Sequence, residues 1–209
     1  MSSCRLCETR RPRRWCPGVR GEICAPCCGA EREVTVDCPL DCEYLREARQ
    51  HEKTPEVDPD AFPNADIRIS ERFLVEQQKL LAFLGAALLE SAFETTGSVD
   101  GDVREALAAM IRTYRTRETG LYYESRPENV IAAVIQDGVK RRLEEMQQKL
   151  LERTGMHQLR DADVLGIVVF LQRLEIQHNN GRRRGRAFLG FLQDQLRPVE
   201  SRDSPLIVP

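Results

Sequence analysis

Eight cysteines among the first 42 residues are the side chains of this chain best suited to do chemistry, and none follows in a chain of 209 residues. Two C-x2-C pairs stand among them. Two thiolates at that spacing can bind the same ion, and Zn²⁺ takes four sulfur ligands in a tetrahedron. The eight thiolates therefore predict two Zn²⁺ ions, with the ligands Cys4, Cys7, Cys16, Cys24, Cys27, Cys28, Cys38 and Cys42.

We predict that the two sets of ligands are interleaved along the chain. In this arrangement the two C-x2-C pairs share one ion and the other four cysteines hold the second. Other pairings stay open at this stage. The first set would be Cys4, Cys7, Cys24 and Cys27, and the second Cys16, Cys28, Cys38 and Cys42.

Two local sequence patterns predict the backbone conformation around the candidate cysteine ligands. Pro39 and Asp41 suit the first turn of a helix, which predicts that Cys38 and Cys42 face one side of that helix. Gly29 follows the Cys27-Cys28 doublet, and glycine readily adopts the left-handed conformation that a tight knuckle needs. We therefore expect a helix start at Cys38 and a left-handed residue at Gly29.

The order of the ligands resembles that of cross-braced two-zinc modules, B-box-like domains especially. In those modules a C-x2-[CH] pair, a lone cysteine, a C-x2-C pair and two late ligands alternate between the ions. The resemblance covers about 42 residues, and this chain has no histidine among the candidate ligands. It implies a small structural zinc module.

The expected role of the metal is to fold the module. So short a segment buries too little apolar surface to fold alone, so bound metal would stabilise it. Catalytic zinc sites keep an open position and usually carry histidine or carboxylate ligands, whereas a site of four sulfurs is closed. Two alternatives stay open. Oxidation of a thiolate could release the metal as a redox switch, and four cysteines can also hold an iron–sulfur cluster.

Arginines are concentrated beside the first cysteines. Residues 1–20 carry six arginines against one acidic residue, while the whole chain is balanced, with 31 basic and 33 acidic residues. That balance excludes a protein built wholly to bind polyanions. The local patch either offsets the negative charge of the thiolates or contacts nucleic-acid phosphates while an aromatic ring stacks on a base. Its members are Arg10, Arg11, Arg13, Arg14 and Trp15.

A second basic cluster, Arg182–Arg186, lies far along the chain. It could meet phosphate or an acidic partner, or it could form a solvated loop.

After the cysteines, apolar residues recur every three or four positions, which predicts helices throughout. The predicted fold class is all-α, a five-helix bundle-like domain preceded by a small Cys-rich zinc-binding module. A stretch rich in proline and acidic residues predicts an extended linker between them. We predict a module over 1–50, a linker over 51–65, a bundle over 66–197 and a flexible tail over 198–209.

Caps and glycines predict the helix limits in the bundle. The first helix has an apolar middle, Leu80–Leu89, and an inward Phe93. This predicts a central buried helix or a homodimer interface. The third helix is expected to begin at a capping box, Ser125 to Glu128, just ahead of Val130. The five predicted ranges are 70–95, 102–117, 125–155, 161–178 and 184–196.

Absent motifs narrow the function. No apolar run reaches the ~18 residues of a membrane span, and no secretory signal stands at the amino terminus, so we expect a soluble, cytoplasmic and bacterial protein. No nucleotide-binding or hydrolase motif occurs, so we expect no enzymatic activity. The leading hypothesis is a zinc-binding interaction or adaptor protein with a protein partner. The alternatives are nucleic-acid binding through Arg10–Arg14, aided by Arg182–Arg186, and a thiol switch.

Overall fold

The computed structural model describes residues 3–52, 62–120, 122–155 and 159–196. Within these ranges the chain forms eight helices and one two-stranded sheet, so the prediction of a mostly helical fold is confirmed. Residues 53–61 of the predicted linker and the predicted tail over 198–209 lie outside the described residues.

The cysteine module consists of a hairpin and two helices. Strands β1 (Arg14–Cys16) and β2 (Gly21–Ile23) pair antiparallel, with Trp15 opposite Glu22. Helices α1 (Ala25–Glu31) and α2 (Glu43–His51) follow. Strands of three residues are too short to show an alternating pattern, which explains why the sequence did not predict the hairpin. The interior contains Cys4, Cys16, Ile23, Cys24, Val36, Cys38 and Leu45.

Two local predictions in the module are wrong. Cys38 and Cys42 are not on one helix, because the Cys42 N–H donates to the Pro39 carbonyl at 3.1 Å and closes a turn. Helix α2 begins only after Cys42. Gly29 lies inside α1, and the left-handed residues in the described part of the module are instead Glu8, Arg20 and Glu33.

Six helices make up the bundle: α3 (Glu71–Glu76), α4 (Gln78–Glu94), α5 (Asp100–Glu118), α6 (Val130–Thr154), α7 (Asp161–His178) and α8 (Ala187–Leu196). Helix α5 packs against α6 and α7, and α4 packs against α6, α7 and α8. The apolar stretch of α4 is therefore covered within the chain, with Leu80, Leu84, Ala87 and Leu88 buried. It is the predicted central helix.

The first predicted helix is divided in two, and its last aromatic residue points outward. The Ser70 hydroxyl accepts from the Phe73 N–H at 3.2 Å, as expected of an N-cap. Gln77, with φ −101° and ψ 16°, then separates α3 from α4. Phe93 is 45% exposed, so the prediction that it faces the core is wrong.

The predicted capping box before the third long helix is also wrong. Asn129, whose side chain accepts from the Ile131 N–H, is the N-cap of α6. Ser125 is bound to α5 instead: its N–H donates to the Thr113 hydroxyl at 2.9 Å, and its own hydroxyl accepts from Arg112 at 2.8 Å. These tertiary contacts outweigh the local capping pattern. The predicted range 161–178 matches α7, whereas α8 starts at Ala187 rather than 184.

The module lies against the bundle through a polar contact that we call the joint. On the module side the joint consists of residues 32–38, and on the bundle side it is the 180–186 loop between α7 and α8. Arg182 pairs with Glu52, and Arg186 pairs with Asp37. These two arginines thus pair with acidic residues of the same chain. The other two arginines of the cluster, Arg183 and Arg184, are exposed.

None of the helices in the described ranges combines the length and the apolar character needed to span a membrane.

Candidate metal centre

Four cysteines, Cys4, Cys7, Cys24 and Cys27, converge in the structure, and we call them set one. Their sulfur atoms all lie within 4.8 Å of one another, and the Cys7 and Cys24 sulfurs are 4.0 Å apart. Zinc–sulfur bonds of ~2.3 Å in a tetrahedron place the sulfurs about 3.8 Å apart. Set one is therefore close enough to bind one metal ion, as its two C-x2-C pairs predicted.

Two tight segments position set one. The first is the Cys4–Glu8 knuckle, where the Glu8 N–H donates to the Cys4 carbonyl at 2.7 Å and Glu8 takes a left-handed φ of 55°. The second begins at Cys24, the N-cap of α1, and places Cys27 in the first helical turn. The Cys24 N–H donates to the Cys4 sulfur at 3.2 Å, which joins the two segments.

The surroundings of set one shift the pKa values of Cys4 and Cys7 in one direction and that of Cys27 in the other. Burial alone would raise the pKa of Cys4, but the backbone N–H groups of Cys7, Cys24 and Leu6 lower it overall. Hydrogen bonds from the Thr9 side chain and from the backbone of Arg10 and Thr9 lower the pKa of Cys7 to about 5.

The fourth thiol of set one behaves in the opposite way. Its hydrogen bond with Cys24, together with burial, raises the pKa of Cys27 to about 12. Negative charge is therefore favourable on part of the cluster and unfavourable on the rest. A divalent cation among the four sulfurs would remove this conflict, because thiolates coordinate a metal as anions.

The ligand chemistry of set one suits a closed site. Its four side chains are all cysteines, and Cys4 and Cys24 are buried. Among the described residues, no other group of three or more His, Cys, Asp or Glu side chains has its ligand atoms within 4.8 Å of one another. Four sulfurs complete a tetrahedron and leave no position for a substrate, which is typical of a structural metal site.

The remaining cysteines, Cys16, Cys28, Cys38 and Cys42, are gathered more loosely, and we call them set two. No three of their sulfurs lie within 4.8 Å of one another. All four side chains nevertheless line one cavity of about 10 Å³, together with Ile23 and Leu45. Burial and the charges of Cys16 and Cys42 raise the pKa of Cys38 to about 11. The fold therefore brings the predicted second set to a single place.

The predicted Arg10–Trp15 patch is divided between two roles. The guanidinium of Arg14 lies 3.7 Å from the Cys28 sulfur and stacks 4.4 Å from the centre of the Tyr44 ring. A hydrogen bond with Cys24 and its charge raise the pKa of Arg10. These two arginines offset thiolate charge, one beside each set.

The rest of the patch faces solvent. Arg11 and Arg13 are exposed, and their side chains make no hydrogen bond or ion pair with the part of the chain that the structure describes. Trp15, two residues after Arg13 along the extended β1 segment, is 61% exposed. An extended chain alternates its faces, so Arg13 and Trp15 share a side opposite to Arg14 and Cys16.

The sequence did not reveal two residues near set two. Arg32 donates to the Cys28 sulfur at 3.9 Å, and Glu33 is fully buried at the joint. The one sequence signal for this contact was opposite charge. Residues 21–50 hold seven acidic residues against three arginines, whereas the 182–186 cluster is basic.

Comparisons with protein-family models, with curated proteins and with solved structures found no match to this chain. The resemblance to B-box-like modules therefore rests on the ligand order alone.

Proposed function

We propose that this chain is a non-enzymatic zinc-binding interaction protein, an adaptor whose metal-folded module contacts a macromolecular partner. The observation that carries this proposal is the convergence of four cysteine sulfurs within 4.8 Å in set one. A closed site of this kind stabilises a fold and leaves the surface of the module free for binding.

The proposed metal content is two Zn²⁺ ions, one in set one and one in set two. The shared cavity of set two supports the second ion, and the two guanidiniums beside Cys28 would offset part of its thiolate charge. Native mass spectrometry of the full chain, repeated after acidification, tests the content. Two zinc ions released by acid support the proposal. Iron together with acid-labile sulfide would show that an iron–sulfur cluster is bound in place of zinc. A metal-free protein would contradict both the zinc and the cluster assignments.

The proposed contact surface on the module is Arg11, Arg13 and Trp15. Tryptophan and arginine dominate the binding energy of many protein interfaces. Here they share an exposed surface, and the two arginines are unpaired within the described residues. The expected partner is a protein with an acidic surface around an apolar pocket.

The bundle offers a second exposed surface. Tyr122 and Tyr123, which precede α6, are 91% and 69% exposed, and Val130 in its first turn is 75% exposed. Val134 lies one turn further along the helix and is 48% exposed. These four side chains thus face outward, where they are available to a partner or to a second copy of the chain, while Ile135 on the opposite face of α6 is buried in the core.

The partner proposal is tested by affinity capture with the zinc-loaded chain. A genuine partner is expected to bind the wild type and Arg183→Ala equally, because Arg183 is an exposed arginine outside the patch. Partner binding should be lost with Trp15→Ala and weakened with Arg11→Ala plus Arg13→Ala. A protein captured equally by all the variants would count against the proposed surface.

Nucleic-acid binding is the second candidate, and the unpaired state of Arg11 and Arg13 favours it. Fluorescence anisotropy with a labelled single-stranded oligonucleotide distinguishes it from the first. Phosphate contacts would weaken steeply with added salt, and removing both arginines would reduce the salt dependence by about two contacts. Absence of binding at low salt would remove this candidate. The thiol switch, the homodimer and the cellular location stay predictions.

A further inference from the structure

The joint connects the bundle to one particular segment of the module. Within the described ranges, all the hydrogen bonds that the 180–186 loop makes to the module fall on residues 32–38. An ion pair from Arg182 to Glu52 adds to them. In the same ranges no hydrogen bond or ion pair joins residues 3–27, which contain all of set one, to the bundle.

Glu33 is the centre of the joint. Its carboxylate is fully buried and accepts from Arg49 at 2.8 Å, from the Asn180 amide at 2.8 Å and from the Arg186 N–H at 3.0 Å. Its carbonyl accepts from the Arg184 N–H at 2.7 Å. A buried carboxylate is stable only while such donors surround it. The joint therefore requires Glu33 to stay where the module holds it.

Set two holds both ends of this segment. Cys28 precedes it and Cys38 closes it, so an ion bound to both would fix the loop that carries Glu33. Arg32 links the two sites directly, since its guanidinium contacts the Cys28 sulfur and its carbonyl accepts from Arg182 at 2.9 Å. The Cys38 carbonyl accepts from Arg186 at 3.5 Å.

The helix that follows Cys42 completes the connection. Arg49 of α2 donates to Glu33 and lies beside Gly190 of α8, where a Cβ would come within 2.5 Å of the guanidinium. A side chain at position 190 would displace the Arg49 guanidinium from the place that it occupies. The last ligand of set two thus starts the helix whose arginine supports Glu33.

We infer that the metal ion of set two latches the module onto the bundle, while the ion of set one does not. Loss of the set-two ion frees the 32–37 segment, separates Glu33 from its donors in the 180–186 loop and uncovers Arg182 and Arg186. The joint is then a metal-dependent contact, and the guanidiniums of Arg182 and Arg186 lose their partners in the module only in the metal-poor protein. This inference rests on the proposed second ion.

Backbone amides report the joint in the full-length, ¹⁵N-labelled chain. The N–H groups of Arg184 and Arg186 donate across the joint to Glu33. The N–H groups of Phe188 and Leu189 donate to Asp100 within the bundle, at 2.9 and 3.1 Å, and serve as internal controls. Hydrogen exchange measured by NMR therefore separates loss of the joint from loss of the bundle.

The matched variants are Cys38→Ser in set two and Cys7→Ser in set one, each with its zinc content counted by native mass spectrometry. In Cys38→Ser we expect one ion and at least about tenfold faster exchange at Arg184 and Arg186, with the two control amides unchanged. In Cys7→Ser we expect the joint amides to stay protected. Unchanged exchange in Cys38→Ser, or an equal rise in both variants, would overturn the inference.

Two further measurements test the inference even if the cysteine variants misfold. The wild-type chain is titrated with a zinc chelator and then with Zn²⁺, and exchange at the joint amides should rise and return in step with the second ion. Glu33→Gln should keep both ions yet exchange faster at Arg186, whereas Glu47→Gln on the exposed side of α2 should not. Joint amides that stay protected after both ions leave would contradict the latch.

The outcomes also separate this inference from the proposed function. A wild-type chain with a single ion and a protected joint would overturn both the second ion and the latch. Two ions together with a joint indifferent to Cys38→Ser would overturn the latch alone.

Discussion

The cores of the module and of the bundle are formed by different kinds of side chain. Among the residues that the structure describes, the bundle core contains 24 buried residues, nearly all aliphatic, contributed by α4 to α8. The module core contains seven buried residues, of which four are cysteines. Hydrocarbon burial stabilises the first directly, whereas thiols bury little apolar surface and become strongly stabilising only as metal ligands. One chain therefore contains one region that folds by packing and one that, under the proposed function, folds with bound metal.

The largest expected effect is that of metal removal. Structural Zn²⁺ contributes on the order of 10–16 kcal/mol in small zinc modules, so chelation should unfold residues 3–52 and leave α3 to α8 folded. Far-UV circular dichroism should retain most of its helical signal, while Trp15, the single tryptophan, reports the module by fluorescence. Cooperative loss of the bundle on chelation would show that the two regions are not independent.

A substitution in the bundle core should destabilise the bundle and leave the metal content of the module unchanged. Leu107, on α5, is 1% exposed in the bundle core, and Leu107→Ala should reduce the free energy of unfolding by about 2–5 kcal/mol through lost contacts and a cavity. Urea unfolding followed by circular dichroism measures the change. The zinc content should be the same as in the wild type, and an exposed α5 control, Glu105→Ala, should change stability little.

The bundle should also lose stability as the pH rises. Burial raises the pKa of Asp100 to about 7 from its ordinary 3.8, although the N–H groups of Phe188 and Leu189 oppose the shift. Because the folded state holds this proton more tightly than the unfolded chain, the stabilisation is complete below pH about 4 and is lost as the pH rises through 7.

The expected loss between pH 5 and pH 8 is roughly 1–3 kcal/mol. Urea titrations at both pH values on the wild type and Asp100→Asn measure it, and the difference between the two proteins should carry the pH dependence. An identical pH profile in the variant would show that Asp100 is not the responsible group.

The smallest expected effect on stability is at the module surface. Trp15 is 61% exposed, so Trp15→Ala should change the free energy of unfolding by less than about 0.5 kcal/mol and leave the zinc content unchanged. Thermal unfolding of the zinc-loaded chain measures this. A large loss of stability would mean that the ring supports the fold rather than a partner.

Local signals predicted much of the architecture. The Ser70 cap, the range of α7 and the left-handed glycine that ends α6 all follow from chemistry within one or two turns. The C-x2-C spacing likewise predicted set one, because each pair needs only a short turn to bring its sulfurs together. These features could be predicted because the interacting atoms are close in sequence.

The remaining features depend on distant contacts. Ser125 binds α5 and so does not cap α6, and the Cys38–Cys42 segment forms a turn before α2. The joint pairs Glu33 with residues about 150 positions away, such as Arg186. No periodicity encodes such a pairing, and the complementary charges of the two segments show only that a partner exists somewhere.

The joint also has a consequence for biosynthesis. All eight cysteines have been synthesised by residue 42, whereas Arg186, which binds Glu33, comes more than a hundred residues later. At ~5–20 residues per second, the wait is on the order of ten seconds. During that time the nascent module lacks the joint, the Glu33 carboxylate is still hydrated, and the proposed metal ions would be the main stabilisation of the module. On the proposed function, zinc supply during translation then determines how much of the module is already folded when Arg186 is synthesised.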